Sequence, residues 1–427
     1  VSPETRLRLS CSPSSRFRPH GSAASIDDGT SDKITTDSFK QTIARAIRAA
    51  GAREVCAIVK KSFAFVLALL LSTPLAAQDR SSSEIAPPAV DGGSWQPLGQ
   101  VPVDQAGAGR RGYAIAGEGA DVAAPGASEL SLHTVAANNF YREQTDPFSI
   151  SQRDETHTVA LGYRRGFTLG RLPRVELGGQ IQLHERDSGF LNGFISGFEN
   201  LWVSMTGSTS AKNQLRTDAG AAVPLGTVVT DGDRLLYQAA GNDSAFGDVR
   251  FTAKTLLHDS ASAGGSRIAA RVVVNVSGAS AFTEGNFAGI GVGVDKPLST
   301  WAAFHGDLRA SILIDRVSDW NLPLKRATFG FSAGPELKLT ANNSLSFQFD
   351  GNTTPYQPTG SAAFDESYGA LTIGVSHRIR TRGTPMLVQA YARENLNLPF
   401  RVRWNTDPDL AVGLKMTFQF PKGQRSR

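Results

Sequence analysis

Cysteine and methionine are almost missing from this chain: the two cysteines are Cys11 and Cys56, and the first of three methionines is Met205. Downstream of residue 56 there is therefore neither a disulfide framework nor a thiolate metal site to argue from. Beyond the N-terminal region no apolar run reaches the roughly 18 residues of a membrane-spanning helix. No G-x-S-x-G elbow occurs, and neither does a metal-ligand spacing. GIGVG at 289–293 lacks the strand-then-helix setting of a phosphate loop and sits inside a strand pattern, where small residues relieve crowding. An excess of charge of one sign is missing too, once the N-terminal region is set aside. Residues 1–77 hold 11 of the 44 Lys+Arg and 6 of the 39 Asp+Glu, so the remaining 350 residues hold 33 of each. The formal charge of +5 belongs to the leader, and nucleic acid is not expected as a partner.

What is present begins with Lys60–Asp79, KKSFAFVLALLLSTPLAAQD. Two lysines, an apolar run over 63–71 and the small or neutral side chains of Leu75-Ala76-Ala77 read as a secretory signal peptide cleaved after Ala77. The run is short of the roughly 20 residues needed to span a bilayer as a helix, and Cys56 precedes it, which argues against a lipoprotein anchor. A signal peptide belongs at an N-terminus. The expectation is therefore that translation starts at Val59 and that residues 1–58 are an untranslated upstream extension; the competing reading is a real extension, mildly helical over 42–55. Residues 78–128, rich in Gly, Ala, Pro and Ser, read as a periplasmic segment or a plug, with a flexible linker as the default.

From residue 129 the dominant pattern is alternation with period 2. In 174–184, Val175, Leu177, Ile181 and Leu183 share one face, and Glu176, Gln180, Gln182 and His184 the other. In 302–314, Phe304, Leu308, Ile312 and Ile314 oppose His305, Asp307, Arg309 and Ser311. Strands are expected near 129–141, 155–167, 173–184, 246–258, 266–276, 287–296, 299–315, 325–340, 343–350, 367–379, 385–394 and 409–420. Most approach or exceed the roughly 9–11 residues of a tilted membrane strand, against about 5–6 in soluble proteins. Connections alternate between short (170–173, 259–265, 297–299, 341–343, 381–384) and long (142–154, 185–245, 277–286, 316–324, 351–366, 395–408). Short turns at one end, longer loops at the other and an even strand number describe an outer-membrane barrel. The fold expected is all-β: an antiparallel transmembrane β-barrel of about 12 strands (range about 10–14) over 129–420 after a cleaved signal peptide, with a basic tail at 421–427. Closure follows from physics, since an unpaired strand edge in hydrocarbon costs several kcal/mol per group.

The last strand carries an alternating ladder, Leu410, Val412, Leu414, Met416, Phe418 and Phe420, which resembles the C-terminal insertion signal read by the outer-membrane assembly machinery. DSGFLNGFISGFE at 187–199, Arg216 and GDVRFTAKTLL at 247–257 resemble an uncharacterised family of bacterial outer-membrane proteins, a domain of unknown function with a Gly-Phe-Leu-Asp-like loop. Here Asn192 stands at the Asp position. The resemblance implies a barrel and its location, over about residues 130–420, and no catalytic residues.

The 185–245 connection is far longer than the roughly 12–15 residues usual for a structureless loop. Phe190, Leu191, Phe194, Ile195 and Phe198 recur in it at helical spacing, as a constriction folding into the barrel mouth or as a loop packing on itself. Leu201–Met205 with Leu235–Gln238 is a possible hairpin there. Facing the lumen, the pattern places Glu176, Gln182, His184, Arg250, Lys254, Arg271, Asn275, His305, Asp307, Arg309, Glu336, Lys338 and Lys415. No catalytic, cofactor or metal residue is assigned. His305, Asp307 and Ser311 share a strand face, but the serine lies roughly 20 Å from the histidine at ~3.3 Å per residue. The function expected is a passive channel for a small polar or amphipathic solute, gated by loop 185–245. The alternatives are a plugged structural or interaction barrel and an outer-membrane lipid hydrolase; partners are membrane lipid and an unidentified solute.

Overall fold

The computed structural model describes residues 97–101, 115–145, 147–170, 172–187, 189, 191, 197, 204, 226–240, 243–260, 265–278, 285–318, 320–379, 384–395 and 410–420. Its strands are β1 (Ser128–Thr145), β2 (Phe148–Leu169), β3 (Leu172–Asp187), β4 (Gly226–Asp231), β5 (Arg234–Ala240), β6 (Asp243–Asp259) and β7 (Arg267–Val276). The second half adds β8 (Phe287–Pro297), β9 (Ala302–Leu313), β10 (Ala327–Lys338), β11 (Asn343–Asn352), β12 (Tyr368–Ile379), β13 (Met386–Asn395) and β14 (Leu410–Phe420). One short helix, α1 (Ala362–Asp365), lies between β11 and β12.

Twelve of these strands close on themselves. The order runs β1, β14, β13, β12, β11, β10, β9, β8, β7, β6, β3, β2 and back to β1, every pair antiparallel. Closure is made by β1 on β14, from Ser128 opposite Phe420 to Asn138 opposite Leu410. These twelve strands leave no open edge in the wall, so the ladders are paired strand to strand without water apart from local bulges, which is what hydrocarbon demands.

The two faces are inverted relative to a soluble protein. Along β9, Phe304, Leu308 and Ile312 stand on the outside, Leu308 at 68 % exposure, while His305, Asp307, Arg309 and Ser311 between them are buried. Ile290 and Val292 on β8, Val272, Val274 and Val276 on β7 and Phe251 on β6 continue the exposed apolar surface. A wall greasy outside and ionic inside suits a membrane-spanning barrel and would be costly in water.

Ser128, Phe420 and the short turns share one end, and the longer connections share the other. The expected loop at 142–154 is a correction: β1 runs on to Thr145, β2 starts at Phe148, and the two pair across it from Arg142–Ser151 to Thr145–Phe148. The free flank of β2 at 148–153 then takes β4, and β4 takes β5, so a hairpin stands above the barrel. The expected partner of Leu235–Gln238 is corrected likewise: β5 pairs with Val228–Thr230 on β4, and Ser204, the one described residue of 201–205, is helical.

Candidate functional site: a plugged lumen beneath an apolar mouth

The strand pattern leaves a lumen lined by charge, and the chain's own N-terminal segment lies in it. Residues 97–101 rise from the turn end: Leu98 N and Gly99 N donate to Glu336 on β10 at 2.8 and 3.1 Å, and Val101 packs higher up against Val135, Ala137, Tyr391 and Ala411. Residues 115–127 descend. Ile115 joins the buried cluster near the mouth, Ala120 N donates to Asp295 Oδ2 at 2.7 Å and Ala123 N to Glu176 Oε2 at 2.8 Å. At the foot, Gly126 N donates to Gly166 O at 2.8 Å, Gly166 N donates back to Ala127 O at 2.9 Å, and β1 begins. Small residues in the wall make room: a Cβ on Gly293 would meet Glu118 O at 2.8 Å, and one on Gly166 would collide with the Ala123 and Ala124 carbonyls.

Glu118 anchors the descending arm. Arg164 donates to its Oε1, joined there by Lys254 Nζ at 3.2 Å, and Arg271 Nη1 reaches its Oε2 at 3.0 Å. Burial pushes the Glu118 carboxyl up, but Arg164, Lys254, Arg271 and Lys415 together outweigh it and hold the group well below the usual carboxylate range. From Arg271 the network crosses the barrel. Its Nη2 donates to Ala116 O at 2.6 Å and to both Asp307 oxygens at 3.0 Å, Asp307 accepts from Arg309 at 3.1 Å, and Arg309 donates to Ser332 and Asn352.

A second latch grips both arms. His305 Nδ1 lies 2.7 Å from Asp295 and its Nε2 lies 2.7 Å from Glu336, the two carboxylates that hold Ala120 and Leu98. One imidazole thus ties together the acceptors for the rising and the descending segment.

Of the residues assigned to the lumen from the sequence, Glu176, Lys254, Arg271, His305, Asp307, Arg309 and Glu336 are buried and form these two latches. Gln182, His184, Arg250 and Asn275 are also buried inside, His184 bonded to Thr158 at 2.9 Å and Asn275 to Asp248 at 3.0 Å. Lys415 lines the central cavity beside Glu118, and Lys338 is half-buried at the turn end of β10, away from both latches.

The mouth is closed differently. Tyr237 of β5 stacks on Trp320 at 5.5 Å, and Phe364 of α1 meets Trp320, Tyr356 and Phe148 edge-on at 5.8, 5.2 and 6.3 Å. Asn321 adopts φ 55°, a left-handed conformation that asparagine tolerates, and its side chain donates to Leu236 O at 2.7 Å. That turn places Trp320 and Leu322 in the cluster. Of the expected constriction, Leu191 is helical and fully buried against Ala136, Leu410 and Val412; Phe190, Phe194, Ile195 and Phe198 lie outside the described residues. At the opposite end a cavity of about 780 Å³ lies open beneath the plug, lined by Pro97, Asp121, Arg267, His305, Gln389 and Lys415 among others.

Sequence reasoning did not single out Glu118, Ile115 or the aromatic mouth. A signal for the first was there: Glu118 and Asp121 are acids without a compensating base in the small-residue stretch 115–127, just ahead of a barrel with cations turned inward.

The fold and site define a closed twelve-stranded membrane barrel with an internal plug. No family model and no curated protein matches the chain. Among solved structures, it is similar to the COG4313 outer membrane channel from Pseudomonas putida F1, at 12 % identity and a TM-score of 0.44 over 70 % of this chain and 97 % of that one. It is also similar to the CymD monoaromatic hydrocarbon channel, at 10 % identity and a TM-score of 0.33 over 70 % and 88 % of the two chains. The NanC porin matches at 7 % identity and a TM-score of 0.35 over 68 % and 99 %.

Proposed function

We propose that the protein is an outer-membrane channel for a small polar or amphipathic solute, exported behind the signal peptide ending at Ala77 and opened by withdrawal of its internal plug. One observation carries this reading: besides the wall's own side chains, the lumen holds two stretches of the chain that are not part of the wall. Residues 97–101 and 115–127 are held by hydrogen bonds and ion pairs, with apolar anchors at Leu98, Val101, Ile115, Ala120 and Val122. A barrel wide enough to take two passes of chain is wide enough for a small solute once they leave. The cavity below offers the exit, and the aromatic mouth above a charged lumen suits a solute with an apolar and a polar end.

Gating by loop 185–245 is part of the proposal. Leu191 N donates to Glu155 Oε2 at 2.7 Å, and the hairpin β4–β5 supplies Tyr237 to the mouth, so movement of this connection would uncover the lumen. The segments 187–199 and 247–257 are the basis on which membership of the domain-of-unknown-function family is proposed. A hydrolase is disfavoured by His305, whose two ring nitrogens both face carboxylates and leave none to activate a hydroxyl.

Swelling of liposomes carrying the refolded protein tests the proposal. Shortening loop 185–245 should speed the entry of small polar solutes; entry no faster than in empty liposomes, with inserted protein of either form, would leave only a plugged structural barrel.

A further inference from the structure

Above the plug, three side chains converge on one point at the root of the long loop. Glu155 and His157 lie two residues apart on β2 and point inward, and Asp187, last residue of β3, stands directly opposite Glu155 in the ladder. His157 Nε2 is 3.2 Å from Glu155 Oε1 and 3.3 Å from Asp187 Oδ1, and the three atoms lie within 4.8 Å of one another. Glu155 and His157 are buried, while Asp187 keeps 18 % of its side chain exposed, which leaves an approach from the mouth.

Two carboxylates directly opposite each other on antiparallel strands repel and need a cation between them. The imidazole alone is a poor answer. Its Nε2 carries at most one proton and lies 3.2 Å from Glu155 Oε1 and 3.3 Å from Asp187 Oδ1, so that one proton is divided between two carboxylates. Glu155 Oε1 is fully buried with no side-chain donor other than this ring among the described residues, aimed into the centre of the group. With the ring proton on Nδ1, Nε2 presents a lone pair beside the two oxygens, and three donors face one point. The two separations from the imidazole nitrogen, 3.2 and 3.3 Å, are those of a tetrahedron with metal–ligand distances of about 2 Å, and the third lies within 4.8 Å. One imidazole and two carboxylates suit a divalent ion of borderline softness, zinc before calcium or magnesium.

We propose that Glu155, His157 and Asp187 bind a zinc-like divalent cation that fastens the start of the long loop to the barrel wall. The same two carboxylates receive the loop's backbone: Gly189 N donates to Asp187 Oδ1 and Leu191 N to Glu155 Oε2, each at 2.7 Å. An ion that fixes the carboxylates therefore fixes Gly189 and Leu191 as well. The inference stands on these residues whether or not the barrel conducts.

The test is direct binding to the folded, chelator-treated full chain in detergent at neutral pH. Zinc is titrated against a chromophoric competitor, and cobalt absorption reports the ligand field. Wild type should take up one equivalent and give an intense visible band. Glu155→Gln and His157→Ala should each weaken zinc by about tenfold or more and lose the band, whereas Asp121→Asn, on the exposed pair with Arg267, should change neither. Equal affinity in wild type and both ligand variants, or no uptake by wild type, overturns the proposal. Should His157→Ala fail to fold, anomalous scattering at the zinc edge from wild-type crystals decides: a peak between the three side chains supports the site, and none there overturns it.

Discussion

Glu118 and His305 are the residues on which docking of the plug rests. Glu118 is one carboxylate among Arg164, Lys254, Arg271 and Lys415, and in the proposed opening it would leave with the plug. Hydrogen bonds to a charged group contribute about 1.5–3 kcal/mol, so Glu118→Gln should raise the open fraction about tenfold or more, read as open probability in a bilayer. The carboxyl is held below its ordinary value only while docked. Its contribution to docking is therefore complete above the usual glutamate value near pH 4.5 and is lost as pH falls through the lower, docked value. Open probability of wild type should climb on acidification in that window, and the glutamine variant should lack the climb. Glu118 was not legible from the sequence because its partners come from four separate strands, with Arg164 46 residues away and Arg271 153. The inward face of the wall was legible, because period-2 alternation marks it on each strand independently.

Strands along the exposed apolar band were legible in the sequence, and those beyond it were not, for one physical reason. A strand facing lipid must be apolar on alternate residues, whereas a strand in water carries no such obligation. Residues 142–153 include Arg142, Glu143, Gln144, Ser149, Ser151, Gln152 and Arg153, so the extension of β1 and β2 shows no greasy face and reads as loop. The β4–β5 hairpin had a local signal, DGD between TVVT and RLLY, which turns at Gly232-Asp233 with Gly232 at φ 56°, a turn chemistry that outranks the long-range pairing first expected. Two changes test the elements. Phe364→Ala removes the ring that three mouth aromatics share and should destabilise the cap by about 3–5 kcal/mol, seen as faster proteolysis within 226–240 while the strands stay protected. Gly293→Val places a side chain where Glu118 O lies and should displace the descending arm, seen as increased labelling of a cysteine introduced at Ala120, with heat-modifiable migration of the barrel retained.

At the scale of the molecule, the wall and its contents have separate physical origins. The wall closes because hydrocarbon tolerates no open edge, and β1 on β14 seals it. The contents are held by charge and hydrogen bonds: Arg164, Lys254, Arg271 and Lys415 gather round Glu118 of the same chain, wall carboxylates take its backbone N–H groups, and the mouth is shut by aromatic packing. Period-2 alternation, even strand number and loop rhythm were sufficient to find the wall from the sequence. The content of the lumen was left between linker and plug, because a stretch of Gly, Ala and Pro has no periodicity until it meets the wall. The most direct test is planar-bilayer conductance of the full chain beside one beginning at Ser128, both shown to be folded and inserted. Plug control of an open lumen predicts brief, rare openings for the first and steady, anion-favouring conductance for the second, since Arg164, Lys254, Arg271 and Lys415 then face an empty lumen. Silence from both would contradict it, and so would equal conductance.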